Sequence, residues 1–266
     1  MLFIFQINQV YLNLYFKILK VSIITITYNS ELTLIDTIDS VLNQTYKNIE
    51  YIIIDGSSTD STISIVHSYK DKIAKFVSEK DNGLYDALNK GIALATGDVI
   101  GVLHSDDFYT NHHVIENVVQ TFLLNQSDAV YADLYYVDKN DVNKIFRKWK
   151  SGNYKHGMFL NGWMPPHPTF FVRRTCYEKH GSFNLDLVSS ADYELMLRFI
   201  HKHKIKLSYL PEFIINMRVG GKSNASLANR VRANKEDRKA WLMNGLKPKF
   251  HTLYLKPLRK IIQLFK

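Results

Sequence analysis

The feature that most constrains the fold is an alternation of short β-branched segments with amphipathic ones. Residues 21–27 (Val-Ser-Ile-Ile-Thr-Ile-Thr) are almost entirely β-branched, as expected for a strand buried on both faces of a sheet. Residues 34–42 then place apolar side chains at helical spacing, and residues 49–54 form a second apolar run. The alternation continues to residue 102. It predicts an α/β fold in which helices flank a mostly parallel sheet.

The second half of the chain is less regular. Short strands are predicted near residues 129–131, 142–146 and 169–172, and residues 191–203 have the composition of a helix. Residues 151–166 are rich in Gly, Asn, Trp and Pro, which indicates a loop. We therefore expect a mixed architecture after the regular first half.

The end of the chain differs in charge from the rest. Residues 201–266 contain 16 Lys or Arg and 3 Asp or Glu, a net charge of +13, whereas residues 1–200 carry −4. Such a basic segment is either a solvated helical face or a contact with an anionic surface such as membrane lipid. We divide the chain into an apolar N-terminal extension (1–20), a main domain (21–220) and a basic helical C-terminal tail (221–266).

Two features bear on the location of the protein. A single cysteine, Cys176, excludes an internal disulfide and suits a reducing compartment. Residues 1–20 are apolar but contain four interrupting amide side chains, and they lack a basic start and a small-residue cleavage site. We expect a packing or peripheral segment rather than a signal peptide or a membrane span. The expected location is cytoplasmic, with the tail as a candidate contact to the inner face of the cell membrane.

Polar residues follow four predicted strands at their carboxyl ends. In order they are Thr27-Tyr28-Asn29, Asp55-Gly56-Ser57, Asp81-Asn82-Gly83 and Asp106-Asp107. Ligands of parallel α/β sheets bind at this edge. The adjacent carboxylates of Asp106 and Asp107 repel each other, and a divalent cation is their usual counter-charge. An aromatic ring, a carboxylate that reads a base, a glycine turn and a metal-binding acid together suit a nucleoside diphosphate.

The sequence also excludes several function classes. The segment after the first strand, residues 27–30, contains no glycine, which argues against a dinucleotide-binding fold, and no Walker loop is present. A nucleotidyltransferase would need a glycine-rich basic loop near the start of the chain. The tail has no nucleic-acid recognition motif, so we expect no nucleic-acid partner.

These motifs in combination resemble those of family 2 glycosyltransferases. Such enzymes have the GT-A fold, a Rossmann-like fold of nucleotide-diphospho-sugar transferases, and the likeness is strongest to bacterial enzymes that build capsular, exopolysaccharide or O-antigen sugars. The resemblance covers about residues 20–218. It rests on residues 21–29, Gln44-Thr45-Tyr46, residues 54–62, residues 81–91, Gly97-Asp98 and residues 103–107.

The resemblance assigns residues 21–110 to donor binding. It implies that Thr27, Tyr28 and Asn29 border the nucleotide and that Asp55 accepts a hydrogen bond from a base N–H. Five further donor contacts come from the same strand ends, at Gly56, Ser57, Asp81, Asn82 and Gly83. Asp106 matches the second acid of the family's Asp-x-Asp motif and is the expected metal ligand. Asp107 is a second candidate ligand or an orienting neighbour.

The resemblance assigns residues 111–220 to the acceptor side. Asp192 matches the family's catalytic base, although an acid in a first helical turn also simply complements the helix dipole. His167 resembles a histidine near the acceptor or the metal. Trp163 is either a platform for a sugar ring or a core tryptophan. The chain departs from the family at His104, which replaces the first acid of Asp-x-Asp.

The resulting expectation is an inverting, metal-dependent glycosyltransferase. It would use Mn²⁺ or Mg²⁺ and move a hexose or N-acetylhexosamine from a UDP or GDP donor to a glycan or lipid-linked acceptor in bacterial surface polysaccharide synthesis. The alternatives are a sugar-nucleotide-binding pseudoenzyme, which His104 favours, and a nucleotidyltransferase. The sequence leaves the donor sugar, the linkage and the oligomeric state open.

Overall fold

The computed structural model describes residues 19–220 and 227–262 of the 266-residue chain. Within these residues, nine strands form one sheet. They are β1 (Val21–Thr27), β2 (Ile49–Asp55), β3 (Lys75–Ser78), β4 (Val99–Val102), β5 (Asp107–Tyr109), β6 (Ala129–Val137), β7 (Ile145–Trp149), β8 (Phe171–Arg173) and β9 (Leu207–Arg218).

Helices connect and cover these strands. The α-helices are α1 (Leu34–Leu42), α2 (Thr62–Ser68), α3 (Leu84–Leu94), α4 (Val114–Asn125), α5 (Arg174–His180), α6 (Ala191–Met196), α7 (Leu227–Met243) and α8 (Thr252–Ile262). Helix α6 continues as a π-helical segment through Leu197–Lys202. Short 3₁₀ turns occupy Lys70–Lys72, Met158–Asn161 and His167–Thr169.

The sheet has a parallel half and a mixed half. Its order is β3-β2-β1-β4-β8-β6-β9-β5, with β7 paired to β6. The first four strands are parallel to one another, whereas β8 runs antiparallel to both β4 and β6. Strand β9 is parallel to β6, and β5 and β7 pair antiparallel with β9 and β6 respectively. The predicted α/β sheet flanked by helices is confirmed, and the parallel pairing is interrupted at β8.

Strand β1 shows why the first half is so apolar. All seven of its residues are buried, because both faces of the sheet are covered. Ile24 and Ile26 pack with helix α3 on one face, while Val21 and Ile23 pack with helices α1 and α4 on the other. Each such side chain contributes about 1.5–3 kcal/mol when it is fully buried. Gly91 of α3 allows the close approach, since a Cβ there would lie 2.4 Å from the Ile24 side chain.

The basic tail is built into the main domain. Trp241 of α7 is 1% exposed, and its Nε1 donates a hydrogen bond to the Tyr193 hydroxyl of α6 at 2.8 Å. Lys256 of α8 forms an ion pair with the buried Asp237 of α7 at 2.7 Å. The boundary drawn at residue 220 is therefore not a break in packing, and the helices α7 and α8 share the core that carries α6.

The described residues include only the last part of the predicted N-terminal extension. The predicted N-terminal extension lies outside the described residues except for Leu19 and Lys20, of which Leu19 is buried. Among the helices of the described residues, none combines the length and hydrophobicity that crossing a bilayer requires.

Candidate active site

The loops after β1 and β2 form one connected surface. Thr27 and Asp55 are paired at the ends of these strands, and the Gly56 N–H donates to the Thr27 carbonyl at 2.9 Å. The Asn29 N–H donates to the Ser58 hydroxyl at 2.8 Å, and the Asn29 side-chain oxygen accepts from the Thr59 N–H at 2.9 Å. The predicted donor-binding residues of both strands therefore lie side by side.

Gly56 lies between an exposed ring and a carboxylate. A Cβ at Gly56 would lie 2.6 Å from Asp81 Oδ2 and 3.4 Å from Tyr28 Cδ2, so any side chain there would displace one of them. The Tyr28 ring is 53% exposed, and Asp81 accepts a hydrogen bond from the Gly83 N–H at 2.9 Å. This arrangement offers a flat aromatic face beside an acid, which suits stacking and polar contact with a nucleoside.

The remaining predicted donor residues are placed differently. The carboxylate of Asp55 is fully buried and accepts hydrogen bonds from the Ser58 N–H at 3.0 Å and from the hydroxyls of Ser58 and Ser78. A contact with a base would compete with these bonds, which hold the loop. Ser57 is exposed with a left-handed backbone (φ +62°), and the Asn82 N–H donates to Asp86 of α3.

The acidic loop after β4 is held by its backbone. The hydroxyls of Thr33 and Thr37 donate to the carbonyls of Ser105 and Asp107 at 2.8 and 2.7 Å. Arg218 at the end of β9 donates to the Asp106 carbonyl at 2.8 Å. These contacts fix the loop without using the Asp106 carboxylate.

Arg218, which sequence analysis did not single out, is the buried side chain that holds this loop. It is 6% exposed, forms an ion pair with Asp36 of α1, and stacks over the Phe108 ring with 4.8 Å between the guanidinium carbon and the ring centroid. The available signal was a charged residue directly after residues 213–217, which are apolar except for Asn216, because a buried arginine needs a specific partner.

The two candidate metal ligands, Asp106 and Asp107, lie in different environments. Asp106 is half-buried, and burial raises the pKa of its carboxyl group against the opposing charges of Arg218 and Lys139. Asp107 is fully buried, and neither of its carboxylate oxygens has a hydrogen-bond partner. Burial and then the Asp106 charge raise the pKa of Asp107 well above its ordinary value. Asp107 opens β5, whose alternation turns Asp107 and Tyr109 into the core.

Asp192 lies at the centre of a polar chain. The Tyr85 hydroxyl donates to Asp192 Oδ1 at 3.0 Å, and His167 Nδ1 lies 3.4 Å from Asp192 Oδ2. On its other side, His167 Nε2 lies 2.7 Å from His104 Nε2. The predicted base, the predicted acceptor-side histidine and the residue that replaces the first acid of the donor motif are thus brought together.

His104 and His167 are both neutral near pH 7. Burial and then the charge of His167 lower the pKa of His104 to about 3, although Asp192 opposes the shift. Burial also lowers the pKa of His167, again against the effect of Asp192. One neutral ring therefore donates a hydrogen bond to the other. If the His167 ring is protonated at Nδ1, which faces Asp192, then His104 Nε2 donates the hydrogen bond of the 2.7 Å contact.

Residues outside the predicted set hold Asp192 in place. Tyr85 lies within the matched stretch 81–91 but received no role. Burial and then the Asp192 charge raise its pKa, which keeps the hydroxyl protonated as a donor. Glu236 of α7 accepts hydrogen bonds from the N–H groups of Ser189 and Ser190 at 2.7 and 3.0 Å, just before α6. This caps the helix that carries Asp192.

Trp163 lies in the core rather than on a sugar-binding surface. It is 4% exposed, its Nε1 donates to the Ser151 carbonyl at 2.9 Å, and its ring contacts Tyr131 and Phe159 edge-on. The prediction of a stacking platform is therefore replaced by its alternative, a core tryptophan.

No metal centre is formed by protein side chains alone in the described part of the chain. Residues 19–220 and 227–262 contain no cluster of three or more His, Cys, Asp or Glu side chains placed to hold an ion. A cation at Asp106 would need further oxygen ligands from a substrate and from water.

The fold defines the class of protein. It matches the crystal structure of TarS 1–349 from S. aureus in complex with UDP-GlcNAc with a TM-score of 0.65, at 18% identity and covering 85% of this chain and 65% of that chain. It also matches the mannosyltransferase PcManGT from Pyrobaculum calidifontis in complex with GDP-Man and Mn²⁺, with a TM-score of 0.63 at 18% identity, covering 92% and 70%. At these identities the likeness concerns the fold, which is the GT-A fold of glycosyltransferases.

Sequence comparison identifies the family. The model of glycosyl transferase family 2 matches residues 22–181. An uncharacterized glycosyltransferase of Mycobacterium tuberculosis is 32% identical over 180 residues, which is 67% of this chain and 68% of that protein. The UDP-Glc:alpha-D-GlcNAc-diphosphoundecaprenol beta-1,3-glucosyltransferase WfaP of Escherichia coli is 31% identical over 186 residues, covering 68% and 70%. The chain belongs to glycosyltransferase family 2, as predicted.

Proposed function

We propose that the protein is an inverting glycosyltransferase that moves a sugar from a nucleotide-diphosphate donor to an acceptor hydroxyl. The observation that carries the proposal is the chain from His104 through His167 to Asp192, because it joins the donor-side loop to a single carboxylate. A base next to the donor loop is the arrangement that direct transfer needs. Family membership supports the reaction class.

Asp192 is the proposed general base. It takes the proton of the acceptor hydroxyl while that oxygen forms a bond to the anomeric carbon and the bond to the diphosphate breaks. The electron pair of the broken bond stays on the departing phosphate oxygen. One base and one displacement invert the anomeric configuration, through a transition state with oxocarbenium character. Tyr85 and His167 contact both carboxylate oxygens and so orient them.

Asp106 is the proposed ligand of a divalent cation. Its half-buried carboxylate makes no ion pair with any described residue, and burial raises its pKa in spite of the charges of Arg218 and Lys139. Mg²⁺ and Mn²⁺ sites often use one or two carboxylates together with substrate phosphates, so this donor set fits. When bound, the cation neutralises charge on the diphosphate leaving group. Asp107 stays in the core as an orienting neighbour.

The proposed nucleoside site is the surface around Gly56. The exposed Tyr28 ring would stack on the base, and Asp81 would accept hydrogen bonds from the nucleoside. Thr27 supplies a further group, since its buried hydroxyl has no hydrogen-bond partner among the described residues. The donor nucleotide is UDP or GDP, the two bound by the structural neighbours.

The proposed setting is surface polysaccharide synthesis at the inner face of the bacterial membrane. The similarity to WfaP, named for a diphosphoundecaprenol-linked acceptor, supports a lipid-linked acceptor. The tail adds an exposed apolar set, which we call the tail stripe: Phe250, Tyr254 and Leu258, spaced by four residues and 88%, 71% and 50% exposed. Exposed apolar side chains within a basic segment favour contact with anionic lipid.

A pseudoenzyme is the second candidate. His104 occupies the position of the family's first acid, and its 2.7 Å contact with His167 favours this alternative. Such a protein would bind a sugar nucleotide without transferring or hydrolysing it.

The deciding experiment is a nucleotide panel. Thermal shift and calorimetry with UDP, GDP, CDP and dTDP, each with and without Mn²⁺, compare the wild type with Asp106→Ala. We expect one nucleotide to stabilise the wild type only with Mn²⁺, by about 2.7 kcal/mol at a hundredfold excess over Kd, and the effect to vanish in Asp106→Ala. Asp141→Ala, at an exposed acid in another loop, is the matched control.

The panel also separates the alternatives. No stabilisation by any nucleotide with metal contradicts the metal-dependent transferase. Binding that ignores Mn²⁺, together with an absence of donor hydrolysis and of transfer, favours the pseudoenzyme.

A further inference from the structure

A second cleft lies on the side of the C-terminal tail. It is lined by Trp149 and Lys150 at the end of β7, by Trp163 and Met164 ahead of the His167 turn, and by Lys256 and Arg259 of helix α8. Its walls combine apolar surface from Trp149 and Met164, both half-buried, with three cationic side chains. None of the described residues that line it is acidic.

The three cationic side chains of the cleft differ in how far a protein partner balances their charge. Lys256 is paired with the buried Asp237, so its charge is largely balanced. Arg259 donates its Nε–H to the Asn161 carbonyl at 2.9 Å, a neutral partner that leaves its charge in place. Lys150 is exposed. The cleft therefore has an excess of positive charge and a planar guanidinium, whose remaining N–H groups suit a phosphate oxygen pair.

Two observations place the cleft near the proposed base, Asp192. Met164 is three residues before His167, which contacts Asp192. In addition, Lys256 Nζ lies 3.8 Å from the ring centroid of Tyr193, the residue that follows Asp192. An anion in the cleft would thus be held beside the acceptor side of the active site.

Helix α8 relates the cleft to the tail stripe. Lys256 and Arg259 line the cleft, whereas Tyr254 and Leu258 are exposed. The helix that supplies charge to the cleft therefore also carries the exposed side chains that we expect to contact the membrane, where a lipid-linked molecule would be found.

We propose that the cleft binds the diphosphate of a lipid-linked acceptor and so presents the attached sugar to Asp192. The inference rests on the proposed function and names the acceptor class for it. Arg259 and Lys150 supply the charge, and Trp149 and Met164 contact the first carbons of the lipid.

A binding experiment tests the cleft without any transfer reaction. Tryptophan fluorescence is titrated with geranyl diphosphate in the presence of saturating UDP, which occupies the donor site, and geraniol serves as the uncharged comparison. Trp149 and Trp163 are two of the three tryptophans of the chain and both line the cleft. We expect saturable binding of the diphosphate and no binding of the alcohol.

Charge-removing variants locate that binding. Arg259→Gln and Lys150→Gln should each raise the Kd for geranyl diphosphate about tenfold. Lys150 is exposed, so its variant retains the fold even if Arg259→Gln does not. Lys148→Gln is the matched control, because Lys148 lies exposed in β7, two residues before Lys150, and does not line the cleft. Its Kd should stay within about twofold of the wild type.

Kinetics complete the test. The acceptor KM should rise in the Arg259 and Lys150 variants for a diphosphate-linked sugar and stay unchanged for the same sugar on a neutral alkyl chain, with the donor KM constant. An unchanged Kd in both variants, an equal loss in Lys148→Gln, or binding of geraniol as tight as that of geranyl diphosphate overturns the proposal. If the wild type transfers to neither acceptor, the proposed function fails while the fluorescence result still judges the cleft.

Discussion

Replacing Tyr85 by Phe removes one hydroxyl and isolates the contact that orients Asp192. The hydroxyl donates to Asp192 Oδ1 at 3.0 Å, while the ring stacks on Phe183 with centroids 5.5 Å apart. Phenylalanine keeps that stack, so the fold should be retained. The variant therefore tests the hydrogen bond rather than the packing.

The size of the effect follows from the charge of the acceptor atom. A hydrogen bond to an ionised group contributes about 1.5–3 kcal/mol. If loss of orientation of the Asp192 carboxylate raises the reaction barrier by the same amount, kcat falls about ten- to hundredfold. Affinity for the donor nucleotide should not change, because the nucleoside site is formed by other residues.

The assay compares kcat, acceptor KM and the calorimetric Kd for the nucleotide in four proteins: wild type, Tyr85→Phe, Asp192→Asn and the double variant. Asp192→Asn alone should lower kcat about 10²- to 10⁴-fold. Once Asp192 is gone, Tyr85→Phe should cost nothing further, since coupled residues are not additive. A Tyr85→Phe enzyme with normal kcat, or one that loses as much in the Asp192→Asn background as in the wild type, refutes the assignment.

Two further predictions concern stability and location. Burial raises the pKa of Glu50, but hydrogen bonds from Ser22 and Thr96 outweigh it and hold the pKa well below the ordinary value. The stabilisation is thus present above about pH 4.3 and is lost as the pH falls below it, so Glu50→Gln should cost about 2–3 kcal/mol in urea unfolding at pH 7 and less at pH 3. A cost that does not change with pH contradicts this. Serine substitutions throughout the tail stripe should release the protein from anionic vesicles in a flotation assay without loss of nucleotide binding; continued flotation excludes the stripe as the contact.

The donor half of the fold was predictable because its signals are local. The β-branched run of β1 and the helical spacing of α1 can be recognised without knowing what they pack against. The motifs at the strand ends then follow, because parallel strands bring their carboxyl ends to one edge of the sheet.

The acceptor half was harder because its elements depend on distant partners. Strand β9, twelve residues long, was not predicted: it contains Pro211 and begins in the basic region, and its pairing with β6 spans some eighty residues. The inward direction of Asp107 depends on the pairing of β5 with β9 in turn. The contact between His104 and His167 joins residues 63 apart, and no sequence spacing reports it.

The cap on helix α6 has a consequence for the order of synthesis. Glu236 and Trp241, which hold this helix, are translated 44 and 49 residues after Asp192. The N–H groups of Ser189 and Ser190, just before this helix, therefore gain their acceptor only after α7 has been synthesised. The position of the proposed base thus depends on a segment far along the chain from it, and a chain that stopped before α7 would contain Asp192 without the contacts that hold its helix.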